Sequence, residues 1–226
     1  MRLARLLLLL IGVMAIRPVQ AQSGYEVRGY ALLMACDQND TLGVRGLLRA
    51  GLKANVPVEV RTDDGIRYEP PLFYAALADK RACARELLRG GADVNLADTT
   101  VGGPALVYAA LNGHAEMVRL LLSRGADPKL GATVFTPLSA AASAGRTDIM
   151  DILMHAGAED YGWAMTTAAL AGRDDAVRFL GGRGLGLDQL LLLGCRREDE
   201  RLMGLARGWG QTESCAAVRA RVLGQE

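Results

Sequence analysis

Histidine is nearly missing from this chain: His114 and His155 are the only two in 226 residues. Hydrolytic and proton-shuttling sites usually pair histidine with a nucleophile or a carboxylate, and neither histidine sits in such a motif. A Gly-x-Ser-x-Gly elbow and a phosphate loop are both absent. The four cysteines include no Cys-x-x-Cys pair, which leaves no redox dithiol or zinc site to expect. Lysine occurs only at Lys53, Lys80 and Lys129. The arginines alternate with acids, as in Arg85-Glu86 and across residues 196–201, so no face collects the positive charge that nucleic acid needs. Asp63-Asp64-Gly65 reads as a turn rather than a calcium loop. Aromatics make up 5% of the chain, so alanine and leucine must do the packing. These absences argue against an enzyme, a metal or other cofactor, and a nucleic-acid partner.

One extended apolar run is present, at residues 6–16, and it falls short of the ~20 residues that span a bilayer. Arg2 and Arg5 precede it, and Pro18 and Val19-Gln20-Ala21 follow. A basic start, a short apolar stretch and small residues at the third-last and last positions form a secretory leader. Cleavage is expected between Ala21 and Gln22, giving a leader at 1–21 and a mature chain at 22–226 with no membrane attachment. Loss of three arginines moves the net charge from +1 to −2. The Arg-heavy, Lys-poor composition points to a bacterial source, and the leader to an exported, most simply periplasmic, protein.

What the mature chain does have is a recurring phrase. Ala75-Ala76, Leu87-Leu88 and Gly91 return as Ala109-Ala110, Leu121-Leu122 and Gly125, then as Ala141-Ala142, Leu153-Met154 and Gly157. A period of about 33 residues is that of stacked helical hairpins. Small alanines let helices approach closely, leucines fill the seam, and a left-handed glycine ends the second helix. Gly91-Ala92-Asp93 and Gly125-Ala126-Asp127 then lead into the next unit.

These residues resemble the ankyrin repeat family. The unit with Pro104, Tyr108-Ala109-Ala110, Gly113-His114, Val118, Leu121-Leu122 and Gly125-Ala126-Asp127 is closest to the family pattern, and Thr136-Pro137-Leu138 keeps its Thr-Pro-Leu. The resemblance implies an all-α solenoid of helix-turn-helix units with short β-hairpin fingers, in one domain. Six units are expected near 30–53, 70–93, 104–127, 136–159, 162–187 and 188–210, with a closing helix at 213–223. The spacing between Ala-Ala pairs is 34 residues from Ala75 to Ala109, 32 to Ala141, and 27 to Ala168. The last step leaves almost no room for a finger. Between Ala54 and Pro70 the alternation of Val56, Val58 and Val60, then Ile66 and Tyr68, around Asp64-Gly65 reads as a long first finger.

In an exported chain Cys195 and Cys215 are expected to staple the closing helix to the stack. Cys36 and Cys83, in adjacent units, either pair as well or serve as small buried hydrophobes. By family analogy His114 supports the turn between helices, and the residue before each Ala-Ala pair faces a concave groove. Those positions are Met34, Tyr74, Tyr108, Ala140 and Thr167, joined by Glu59, Arg61, Arg67, Tyr68 and Glu69 on the first finger. The implied function is a monomeric scaffold that binds one protein partner and protects or inhibits it, in stress defence or immunity. Two other readings are a secreted, host-directed ankyrin effector and a redox or stress enzyme using a free Cys36 or Cys83.

Overall fold

The computed structural model describes residues 24–62, 65–97, 103–211 and 213–218. The leader, its cleavage site at Ala21 and Gln22, the Asp63-Asp64 turn and the end of the expected closing helix lie outside them. Helices come in consecutive pairs: α1 (Gly24–Asp37) with α2 (Thr41–Arg49), α3 (Pro71–Leu77) with α4 (Arg81–Arg89), and α5 (Ala105–Asn112) with α6 (Ala115–Leu122). They continue as α7 (Pro137–Ala144) with α8 (Thr147–His155), α9 (Tyr161–Leu170) with α10 (Asp174–Gly181), and α11 (Leu187–Arg197) with α12 (Glu200–Gly208). A single helical turn at 215–218 follows.

Local chemistry sets where the helices begin and stop. Pro71 and Pro137 stand in the first turn of their helices, where a missing N–H costs nothing. Thr136 and Ser139 form a reciprocal capping box at the start of α7. Between the two helices of each unit the chain turns through a left-handed residue: Asn39, Asp79, Gly113, Gly145, Gly172 and Glu198 in order. Glycine takes that conformation without steric cost, and Asn and Asp tolerate it.

First helices pack side by side along the stack, and second helices form the layer behind them. Ala75-Ala76, Ala109-Ala110 and Ala141-Ala142 are wholly buried where the layers meet. The leucine pairs divide their work, since Leu87, Leu121 and Leu153 are wholly buried while Leu88, Leu122 and Met154 are partly exposed.

The connections differ in length. The first is the antiparallel hairpin β1 (Val58–Thr62) and β2 (Gly65–Glu69), registered from Val58 opposite Glu69 to Thr62 opposite Gly65. Its stem leans on α1, where a Cβ at Gly29 would lie 3.2 Å from the Val58 side chain. In the second connection Ala97 bridges to Pro104, and in the third the Ala132 N–H donates to the Phe135 carbonyl at 2.6 Å. The short step before Ala168 is taken up by α9, which starts at Tyr161 without a preceding hairpin. Its Trp163 indole N–H donates to the Val134 carbonyl at 3.0 Å, so the ring stands where a fourth finger would have been.

Candidate partner-binding surface

Hydrogen bonds tie each unit to the next along both edges. At the turn edge the His114 Nε2 lies 3.1 Å from the Leu77 carbonyl of the preceding unit, the role expected of that histidine. At the finger edge Asn55 accepts from the Asp93 N–H at 2.9 Å, and Asn95 accepts from the Asp127 N–H at 2.9 Å while donating to the Gly125 carbonyl. His155 is satisfied locally by the Asp151 carbonyl at 2.8 Å.

Charge reinforces the first interface. Glu86, buried on α4, receives Arg45 of α2 through Nε and Nη2, both at 3.0 Å, and Arg89 at 2.6 Å. The Arg45 hydrogen bond comes first among the causes that pull its carboxyl down to about 2, against the opposing effect of burial. A folded value below the unfolded one means stability that is complete above about pH 5 and is lost as pH falls toward 2. The two arginines are 42% and 61% exposed, so solvent screening limits the effect to about 1 kcal/mol. Glu86→Gln is therefore expected to lower stability by that amount at pH 7 and to converge with the wild type near pH 2 in acid-titrated urea melts. A constant gap across that range would refute the assignment.

Five candidate contact residues follow from the repeat pattern, and the structure separates them. Met34 is half-buried on α1. Tyr74 is half-buried on α3 and donates to Asp37 Oδ1 at 2.6 Å; this bond is the main cause of the lowered Asp37 carboxyl, and burial foremost raises the Tyr74 phenol. Tyr108 is only 3% exposed and sets its ring edge-on to Phe73, with centroids 4.3 Å apart. Thr167 is 6% exposed and donates to the Ser139 and Ala164 carbonyls, and Ala140 is fully buried. Tyr108, Ala140 and Thr167 are thus packing residues and offer a partner no open surface. The repeat period places them on the first helix but cannot say how closely its neighbours crowd that side.

On the finger, Tyr68 is 46% exposed whereas Glu69 is buried. Strand register sets Glu59 opposite Tyr68, Val60 opposite Arg67 and Arg61 opposite Ile66; the side chains of Glu59, Arg61 and Arg67 lie outside the described set. The sequence reading overlooked Trp163, which is 47% exposed at the same edge. Its signal was available, because a tryptophan placed where the spacing contracts to 27 residues has no finger to cover it.

Cysteine placement settles another expectation. Cys36 meets Cys83 and Cys195 meets Cys215, both at disulfide distance, and no free cysteine remains. The reading of Cys36 or Cys83 as a free redox nucleophile is therefore corrected, since a paired and fully buried sulfur cannot act as a thiolate. No group of residues that could hold a metal ion occurs among the described residues, and no described helix is long and apolar enough to cross a membrane.

Residues 32–132 match the family model described as ankyrin repeats, three copies. The match runs through the first three helix pairs, and three further pairs continue the same architecture beyond it. Residues 32–132 are thus ankyrin repeats, and the helix pairs build an all-α solenoid whose repeats form a scaffold for protein–protein interaction. Ankyrin repeat domains are typically interaction modules rather than catalysts. Comparison with curated proteins gives no match.

Proposed function

We propose that the mature protein is exported to the periplasm and binds one protein partner along its finger edge, protecting or inhibiting it. The observation that carries the binding reading is the pair of half-exposed aromatics, Tyr68 and Trp163, at opposite ends of that edge. Large amphipathic rings dominate binding energy in protein interfaces, and each of these two turns about half of its surface to water. Met34 and Tyr74 sit on the adjoining first helices, and the Glu59, Arg61 and Arg67 positions complete the first finger. Two observations support export. The leader-like start is followed by a chain in which every cysteine is paired, as suits an oxidising compartment.

The test is cross-linked capture from the cell envelope with the wild type, with Tyr68→Ala plus Trp163→Ala, and with Leu42→Ala. Leu42 is exposed in the first turn of α2, in the opposite layer. One protein is expected to be caught by the wild type and by Leu42→Ala and lost by the double variant, provided circular dichroism shows all three folded. Equal capture by all three would remove the finger edge from consideration. N-terminal sequencing of the chain recovered from cells reads export separately, with Gln22 expected as the first residue.

A further inference from the structure

The turn between α1 and α2 reads Asp37-Gln38-Asn39-Asp40-Thr41. Asn followed two positions later by Thr, with a residue other than proline between them, is the acceptor pattern for N-linked glycan transfer. Of the four asparagines, Asn39, Asn55, Asn95 and Asn112, only Asn39 satisfies the pattern.

The structure distinguishes Asn39 from the others on independent grounds. The carboxamides of Asn55, Asn95 and Asn112 are engaged in backbone hydrogen bonds. That of Asn39 is exposed and makes no hydrogen bond among the described residues. Its backbone is left-handed, with φ 59°, but the equivalent turns use Gly, Asp or Glu, so the fold does not require an amide there. The turn lies at the far end of α1 and α2 from the fingers, so a glycan on it would leave Tyr68 and Trp163 clear.

We infer that Asn39 is the acceptor of an N-linked oligosaccharide, an inference that rests on the export reading because the donor is presented on the exported side of the membrane. Asn39 Nδ2 bonds to C1 of an oligosaccharide carried on a lipid diphosphate. The C1–O bond to the diphosphate breaks, the lipid diphosphate leaves, and the amide proton passes to a base of the transferase. Transfer precedes closure of the first unit. In the folded turn Asp37 accepts from Tyr74, Asp40 caps the Gly43 N–H, and Cys36, three residues upstream, is joined to Cys83. Those ties prevent the five residues from extending into an enzyme.

The experiment supplies a purified bacterial oligosaccharyltransferase and its lipid-linked oligosaccharide to the full chain, both reduced and unfolded and oxidised and folded. Intact mass and peptide mapping read the product. One glycan is expected, on the peptide holding Asn39, with higher occupancy in the reduced chain. Asn39→Gly, which keeps the left-handed turn, is expected to gain none. No added mass in either state, or a glycan retained by Asn39→Gly, would overturn the inference. Because enzyme and donor are provided, this outcome is independent of export, which the N-terminal sequence reads.

Discussion

Replacing Cys36 and Cys83 together with alanine is expected to destabilise the first unit by about 4 kcal/mol, the loop-closure entropy of a link across so long a segment. The two residues are 47 apart in sequence. Alanine is chosen because both sulfurs are wholly buried and a serine hydroxyl there would add its own desolvation cost. In a repeat array each unit contacts only its neighbours, so the loss should stay local. Hydrogen exchange is expected to quicken through α1 and α2 while α7 and α8 keep their protection. A change under about 1 kcal/mol in urea unfolding, or a uniform loss of protection, would show that packing rather than the covalent link holds the first unit. Cys195 and Cys215 are 20 apart, and their link should contribute roughly 3 kcal/mol to seating the terminal turn.

The second large effect separates two adjacent leucines of the same motif. Leu121 of α6 is wholly buried, whereas Leu122 beside it is partly exposed. Leu121→Ala leaves a cavity in the middle of the stack and is expected to cost about 3 kcal/mol, while Leu122→Ala should cost about 1 kcal/mol. Paired denaturant melts of the two variants check this directly. Similar losses at both positions would mean that α6 can rotate to bury whichever leucine remains. The contrast is useful because the two residues are indistinguishable in the repeat pattern.

Much of the fold was legible before any coordinates. The Ala-Ala pairs fell on first helices, the leucine pairs on second helices, and the glycines of the phrase on left-handed turns at Gly91, Gly125 and Gly157. The alternating Val56, Val58 and Val60 marked the hairpin of β1 and β2. These features are local. A helix must repeat its apolar residues on its own pitch, and a turn through positive φ selects glycine whatever lies elsewhere.

The candidate surface was less legible. Tyr74 and Tyr108 occupy the same position in neighbouring units, yet Tyr74 keeps an exposed edge while Tyr108 closes over Phe73. Trp163 is half-exposed because the segment before α9 is too short to form a covering finger. Burial at such places depends on what residues some 30 positions away bring against the side chain, and no periodicity encodes that.

The division follows from the range of the forces. By itself the sequence determined the repeat, its turn glycines and the class of scaffold, because these rest on backbone preference and near-neighbour packing. The tertiary structure decided which Leu of each pair is core, which tyrosine meets water, that Cys36 finds Cys83, and that Glu86 is gripped by Arg45 from the adjoining unit. Each of these is a contact between units, and it exists only once the units are stacked.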